Sequence, residues 1–244
     1  MRKALILFLL FPFLSKAQSG KQVIHQNLFW MRYNNQLILN QKWIIQSEVD
    51  NRMFLSPVKE HHLVTRAQAR YALNPAVTLG AGLTYALQHP QNPDSESDLV
   101  VPELRPQQDI TLKQTLGKVI LSHRYQVDER FIRKADGEQL SKTYTFNFRF
   151  RYRLQGEIHV FKTAKNELKM VLNDEVMLNT GKNVQLNTFD QNRIYAGLQW
   201  GLSPQMALEL GYMNWYQQRP SGKEFYQRNI TRLSLFHKLD LYNN

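Results

Sequence analysis

Seven histidines, at positions 25, 61, 62, 89, 123, 159 and 237, are the obvious candidates for metal ligation or general-base work. None stands at zinc-protease spacing, and the chain has no Gly-x-Ser-x-Gly elbow, phosphate loop or EF-hand pattern. Cys is absent, which excludes disulfides and thiolate metal sites. Ser122 and His123 are neighbours. On a strand adjacent side chains point to opposite faces, so these two cannot meet as nucleophile and base. His61-His62 reads as a solvated loop pair rather than a ligand set. No catalytic residue, metal or cofactor is assigned from these patterns.

The chemistry left is electrostatic, and it is concentrated in residues 142–154, KTYTFNFRFRYRL. Tyr144, Phe146, Phe148, Phe150, Tyr152 and Leu154 share one side of a period-two pattern. Thr143, Thr145, Asn147, Arg149, Arg151 and Arg153 share the other. As a strand the segment has one aromatic and one cationic face. Elsewhere the charges keep the same parity: Glu48 and Asp50 with Arg52, Arg66 with Arg70, Asp128 with Arg130, and Glu175 with Lys169. Glu48, Arg52, Arg66, Arg70, Arg124, Arg130, Arg149, Arg151, Arg153, Glu175 and Arg193 form the candidate charge network of an enclosed interior. Cross-strand pairing can neutralise such a network. Two roles stay open for it: filling and stiffening a small barrel, or favouring an anionic solute or lipid headgroup through its surplus cations.

The elements that would position these residues are strands. From about Ile24 the chain falls into alternating segments of ten to fourteen residues, separated by turn signals. Leu39-Asn40-Gln41-Lys42-Trp43, Leu73-Asn74-Pro75-Ala76-Val77 and Leu202-Ser203-Pro204-Gln205-Met206 repeat one turn chemistry. Residues 89–106, with four prolines and no periodicity, read as a long surface loop. Asp136-Gly137 and residues 180–188 mark further loops. Strands near ten residues, joined alternately by short turns and longer loops, predict one all-β domain. Its predicted form is an up-and-down antiparallel transmembrane β-barrel. Eleven segments can be counted. Bacterial single-chain barrels usually have even strand numbers, so ten to twelve is expected and ten preferred: either the count errs by one somewhere or the irregular 22–38 segment is not a full wall strand.

An Arg facing lipid at mid-depth costs about 2–4 kcal/mol, so Arg149, Arg151 and Arg153 are expected inside. The N-terminus, MRKALILFLLFPFLSKA, has a basic start, an apolar run from Ala4 to Leu14, and small residues at Ser15 and Ala17. It reads as a signal peptide over 1–17, leaving 18–244 as the barrel. Its removal takes away Arg2, Lys3 and Lys16 and lowers the formal charge from +11 to +8. The remaining positive charge alternates with aromatics instead of clustering, so nucleic acid is not expected as a partner. Outer-membrane lipid, a small anionic solute and the barrel-assembly machinery are.

Several dispersed motifs carry a resemblance. They are Trp43 through Glu48 to Arg52, Glu103-Leu104-Arg105-Pro106-Gln107-Gln108, Arg124 with Glu129 and Arg130, and Arg149-Phe150-Arg151-Tyr152-Arg153. Asn173-Asp174-Glu175 and Asp190-Gln191-Asn192-Arg193 with Tyr195 and Gly197 complete the set. Across residues 30–241 the chain resembles domain-of-unknown-function (DUF) family 2490, uncharacterised outer-membrane barrels of Gram-negative bacteria. The resemblance implies a fold and an outer-membrane address but no activity and no catalytic residue. Pro106 stands where the family commonly has an aromatic, and is expected to alter the start of that strand. Three functions follow for test: a structural or solute-passing outer-membrane barrel, an outer-membrane lipid-modifying enzyme with Ser and His on its strands, and a secreted soluble ligand-binding barrel.

Overall fold

Eleven strands close on themselves in the computed structural model, which describes residues 22–163, 167–182, 184, 188–219 and 221–242. They are β1 (Gln22–Ile38), β2 (Trp43–Leu55), β3 (Val58–Asn74), β4 (Val77–Gln88), β5 (Val101–Leu116) and β6 (Val119–Asp136). Then follow β7 (Gln139–Lys162), β8 (Glu167–Thr180), β9 (Phe189–Gly201), β10 (Met206–Gln218) and β11 (Glu224–Asp240). Each strand pairs antiparallel with its sequence neighbours, and β1 closes the barrel by pairing parallel to β11, from Gln22↔Glu224 to Ile38↔Asp240. The expected signal peptide lies outside the described residues.

The expectation of an all-β barrel holds, while the preference for ten strands does not. An antiparallel ring needs an even number; the parallel β1–β11 ladder removes that requirement and still leaves no open edge. The irregular first segment is a full wall strand of 17 residues. Residues 142–154 belong to the longest strand, β7, whose 24 residues continue past Gly156 to Lys162. Pro102 and Pro106 lie inside β5 rather than in the preceding loop. Pro106 leaves the strand start untouched, and the β5–β6 ladder instead skips between Leu104↔Phe131 and Gln107↔Asp128, where a residue without an N–H can sit.

The repeated turn chemistry has one mechanism. Asn40 Oδ1 accepts from the N–H groups of Lys42 and Trp43, each at 2.9 Å, and Asn74 Oδ1 does the same for Ala76 and Val77 at 2.9 Å. Ser203 Oγ accepts from Gln205 and Met206 at 3.2 and 3.0 Å. These turns gather at one end of the barrel (the turn end) with the last residues of β11. The 56–57, 89–100, 137–138 and 219–223 connections gather at the other, the loop end, where β1 begins.

Alternation sorts the side chains as the pattern required. Tyr144, Phe146, Phe148, Phe150, Tyr152 and Leu154 lie exposed on the outer face, while Asn147 and Arg149 are buried inside. Charges on the outer wall are few; Glu129 and Asp174 alternate with inward Asp128 and Glu175, and Asn192 donates to the Asp174 carboxylate at 2.5 Å. The core is therefore the lumen itself. Leu28, Trp30, Phe54, Val171, Tyr195, Met213, Trp215 and Ile230 form its apolar cluster. Gly197 and Gly211 flank Tyr195 so closely that a Cβ at either would collide with its ring.

Candidate functional site in the barrel interior

The inward faces of β2 to β8, joined by Arg32 of β1 and Asp190 of β9, carry a ladder of ion pairs. Glu48 accepts from Arg66 at 2.9 Å and lies 3.7 Å from Arg32. Asp50 pairs with Arg52 at 2.7 Å and Arg32 at 3.0 Å. Glu103 receives Arg105 at 2.6 Å and Arg130 at 2.5 Å. Glu175 takes Arg124 at 2.6 Å and both oxygens meet Arg151, at 2.9 and 3.0 Å. Arg151 also reaches Asp128 at 3.4 Å, Arg149 holds Asp190 at 2.8 Å, and Arg70 stands 3.6 Å from Asp109. Glu48, Asp50, Glu103, Asp128 and Glu175 are all buried. A buried carboxylate is costly unless paired and hydrogen-bonded, and here each has at least one guanidinium.

All eleven residues of the expected network face this interior, but they do not form one uniform set. Arg153 sits directly opposite both Arg124 and Glu175 in the ladders, yet its Nε has no acceptor among the described residues. Arg193 meets no carboxylate there; its Nη2 donates to Gln191 Oε1 at 3.0 Å and its guanidinium stacks on Trp215 and Trp30, with centroids at 4.5 and 5.6 Å.

The other half of the interior, from β1 and β9 to β11, is aromatic. Trp30 and Trp215 meet edge to face at 5.7 Å, both essentially without solvent exposure. Guanidiniums cover them: Arg52 lies 4.0 Å over Trp30 and Arg228 4.4 Å over Trp215, while Arg232 lies 3.7 Å over Tyr195. Desolvated contacts of this kind stabilise by about 2 kcal/mol. Tyr195 donates to Glu209 at 2.6 Å, and Arg232 pairs with the same carboxylate at 2.8 Å.

At the loop end one loop residue enters this cluster. Gln91 Oε1 accepts from Arg228 Nη2 at 2.9 Å and lies 3.1 Å from His61 Nε2. Its amide nitrogen lies 3.2 Å from His62 Nε2, and its backbone oxygen accepts from Gln26 at 2.8 Å. His61 and His62 thus correct the expectation of a solvated loop pair. The β2–β3 ladder shifts between Arg52 and Met53, leaving His61 as the extra residue, and the bulge turns both rings inward. Their centroids are 3.9 Å apart and His61 is fully buried. Ser122 and His123 point to opposite faces as expected: Ser122 is buried inside, and outward His123 lies 2.9 Å from the Tyr152 hydroxyl.

Sequence reasoning left Arg32, Glu103, Arg105, Asp109, Asp190, Glu209, Arg228, Arg232 and Gln91 out of the network. Parity within each strand could have found most of them. Asp190 needed the ladder shift between Met177 and Leu178, and Gln91, in an aperiodic loop, carried no signal.

Among the described residues no cluster of His, Asp and Glu is arranged to hold a metal ion. Fold and interior together define a closed β-barrel with a charged, aromatic-filled lumen. The family model described as "Protein of unknown function (DUF2490)" matches residues 27–226, and the chain belongs to that family. No curated protein and no solved structure matches it.

Proposed function

We propose that this chain is an integral β-barrel of the bacterial outer membrane, exported by its N-terminal signal and inserted by the barrel-assembly machinery. In this reading its interior is packed shut by its own side chains, so that it acts as a structural wall element and not as an open pore. The observation that carries this is the alternation on β7: Phe148 and Phe150 lie exposed on the outside while Arg149 is buried with Asp190 and Arg151 with Glu175. In water the outer aromatic wall would be a large unsatisfied apolar surface. An apolar outer groove of about 610 Å³, walled by Leu79, Ile110, Tyr125, Phe150, Tyr152 and Leu178, fits acyl chains better than water. Closure is supported by the burial of Trp30, Phe54, Tyr195 and Trp215 across the lumen. Fractionation of cells making the full chain tests the location. Recovery in the outer membrane, extracted only by detergent, is expected; recovery in the soluble periplasm would leave the secreted ligand-binding barrel in its place.

A second reading, passage of small anions, is favoured by Arg153, Arg193 and Arg228, inward cations without an ion-paired carboxylate among the described residues. A lipid-modifying enzyme fares worse at the one Ser-His neighbour pair, because Ser122 and His123 are split across the wall. Lipid hydrolysis by the purified protein, lost on His123→Ala, would restore it.

A further inference from the structure

We infer that the loop-end chamber under Gln91 is a binding site for a small carboxylate with a flat apolar body, and that Gln91 occupies the carboxylate's place as an internal stand-in. The chamber is rich in donors and poor in acceptors. Arg228 is fully buried, and among the described residues it donates to neutral side-chain oxygens: Gln26 Oε1 at 2.7 Å, Gln217 Oε1 at 2.5 Å and Gln91 Oε1 at 2.9 Å. Arg193, on the other side of Trp215, likewise touches no carboxylate among the described residues, and its Nε is buried without an acceptor. The indole N–H groups of Trp30 and Trp215 are also buried without acceptors among the described residues. Leaving such donors unmatched is costly, most of all where the group is charged. An anion offering two oxygens supplies what the chamber lacks.

Gln91 shows how the anion would be held. Its amide oxygen sits between Arg228 Nη2 and His61 Nε2, a position an isosteric carboxylate oxygen can take with the same geometry and a full negative charge. The flat rings of Trp30, Trp215, Phe54 and Tyr226 around it suit a planar body. Gln91 itself is only half-buried and lies on a loop; its amide nitrogen donates to the backbone oxygen of His89 in that loop at 3.2 Å, while Gln26, His61, His62 and Arg228, which it also meets, lie on the wall. A cleft of about 240 Å³ lies between the same loop and the start of β3, lined by Lys59, Glu60, His89, Asn92, Ser95 and Asp98. The inference goes beyond the membrane reading and holds equally for a soluble barrel, so fractionation and ligand binding can fail independently.

Calorimetric titration of the purified, folded full-length barrel with benzoate, against neutral benzamide, tests it. Benzoate is expected to bind and benzamide to bind at least about tenfold more weakly. Gln91→Ala, which removes the competitor without touching the wall, should tighten benzoate about tenfold, because the binding-competent fraction rises. Gln91→Glu, which places a carboxylate on Arg228, should abolish benzoate binding in a protein that still folds. Arg228→Gln in the Gln91→Ala background should abolish it as well. No benzoate binding by Gln91→Ala, equal affinity for benzamide, or unchanged binding by Gln91→Glu would each overturn the inference.

Discussion

Arg151 grips both oxygens of Glu175, at 2.9 and 3.0 Å, although the residue directly opposite Glu175 in the β7–β8 ladder is Arg153. The ion pair is thus diagonal, and Arg124 closes on the same carboxylate from β6 at 2.6 Å. One buried carboxylate holds guanidiniums from two strands, Arg124 on β6 and Arg151 on β7, beside the registered pair Arg124 and Arg153.

Glu175→Gln should therefore be among the most damaging single substitutions in the interior. It leaves Arg124 and Arg151 without their shared counter-charge, and removing one partner of a buried pair costs about 3–5 kcal/mol. Denaturant unfolding of the barrel in detergent should show that loss. Adding Arg151→Met should recover part of it, since neighbours in one network are not additive. A loss below about 1 kcal/mol would show the network to be hydrated rather than buried.

Much of the barrel could be read from the chain, for a physical reason visible in β7. Its two faces are chemical extremes, aromatic against arginine, so the period of two is unmistakable. The Asn40, Asn74 and Ser203 turns were equally readable, because the side-chain oxygen that makes them is in the motif. β1 was obscure because Leu28 and Trp30 point inward while Phe29, Met31 and Tyr33 point out. Apolar residues on both faces erase the alternation. The eleven segments were countable, but the evenness rule argued one of them away, since it holds only for a ring without a parallel pair. The His61 bulge and the Gln91 contacts depend on register and on a loop's path, which no period records.

Tyr195 gives a packing test. Gly211→Ala puts a methyl into its ring, which is held by its hydrogen bond to Glu209 and by Arg232 over its face. Overpacking of this kind costs about 1–3 kcal/mol. Gly156→Ala, whose Cβ would meet only Leu121 at 3.7 Å, should be near neutral in the same unfolding assay.

The closed lumen predicts electrical silence. In planar bilayers the native protein should give no conductance steps. Trp30→Ala with Trp215→Ala, which removes the two largest fully buried rings, should open water-filled paths and brief steps with anion preference. Arg151→Ala in that background should weaken the preference. Steady large steps from the native protein would contradict the packed interior.

On the outer wall, Phe150→Arg should cost about 2–4 kcal/mol in lipid if the residue lies near mid-depth. Tyr144→Arg, on the same outer face near the loop end of the strand, should cost much less. Unfolding from lipid vesicles measures both, and equal costs would place Phe150 in water.

The most direct test uses the absence of native Cys. A single cysteine at Phe148 or Phe150 can carry a nitroxide in the reconstituted barrel, and its collisions with molecular oxygen and with a water-soluble nickel chelate can be compared. Oxygen should broaden both labels strongly and the nickel chelate hardly at all, as for a label among hydrocarbon chains. Free access of the chelate to both positions, with little effect of oxygen, would contradict the membrane account.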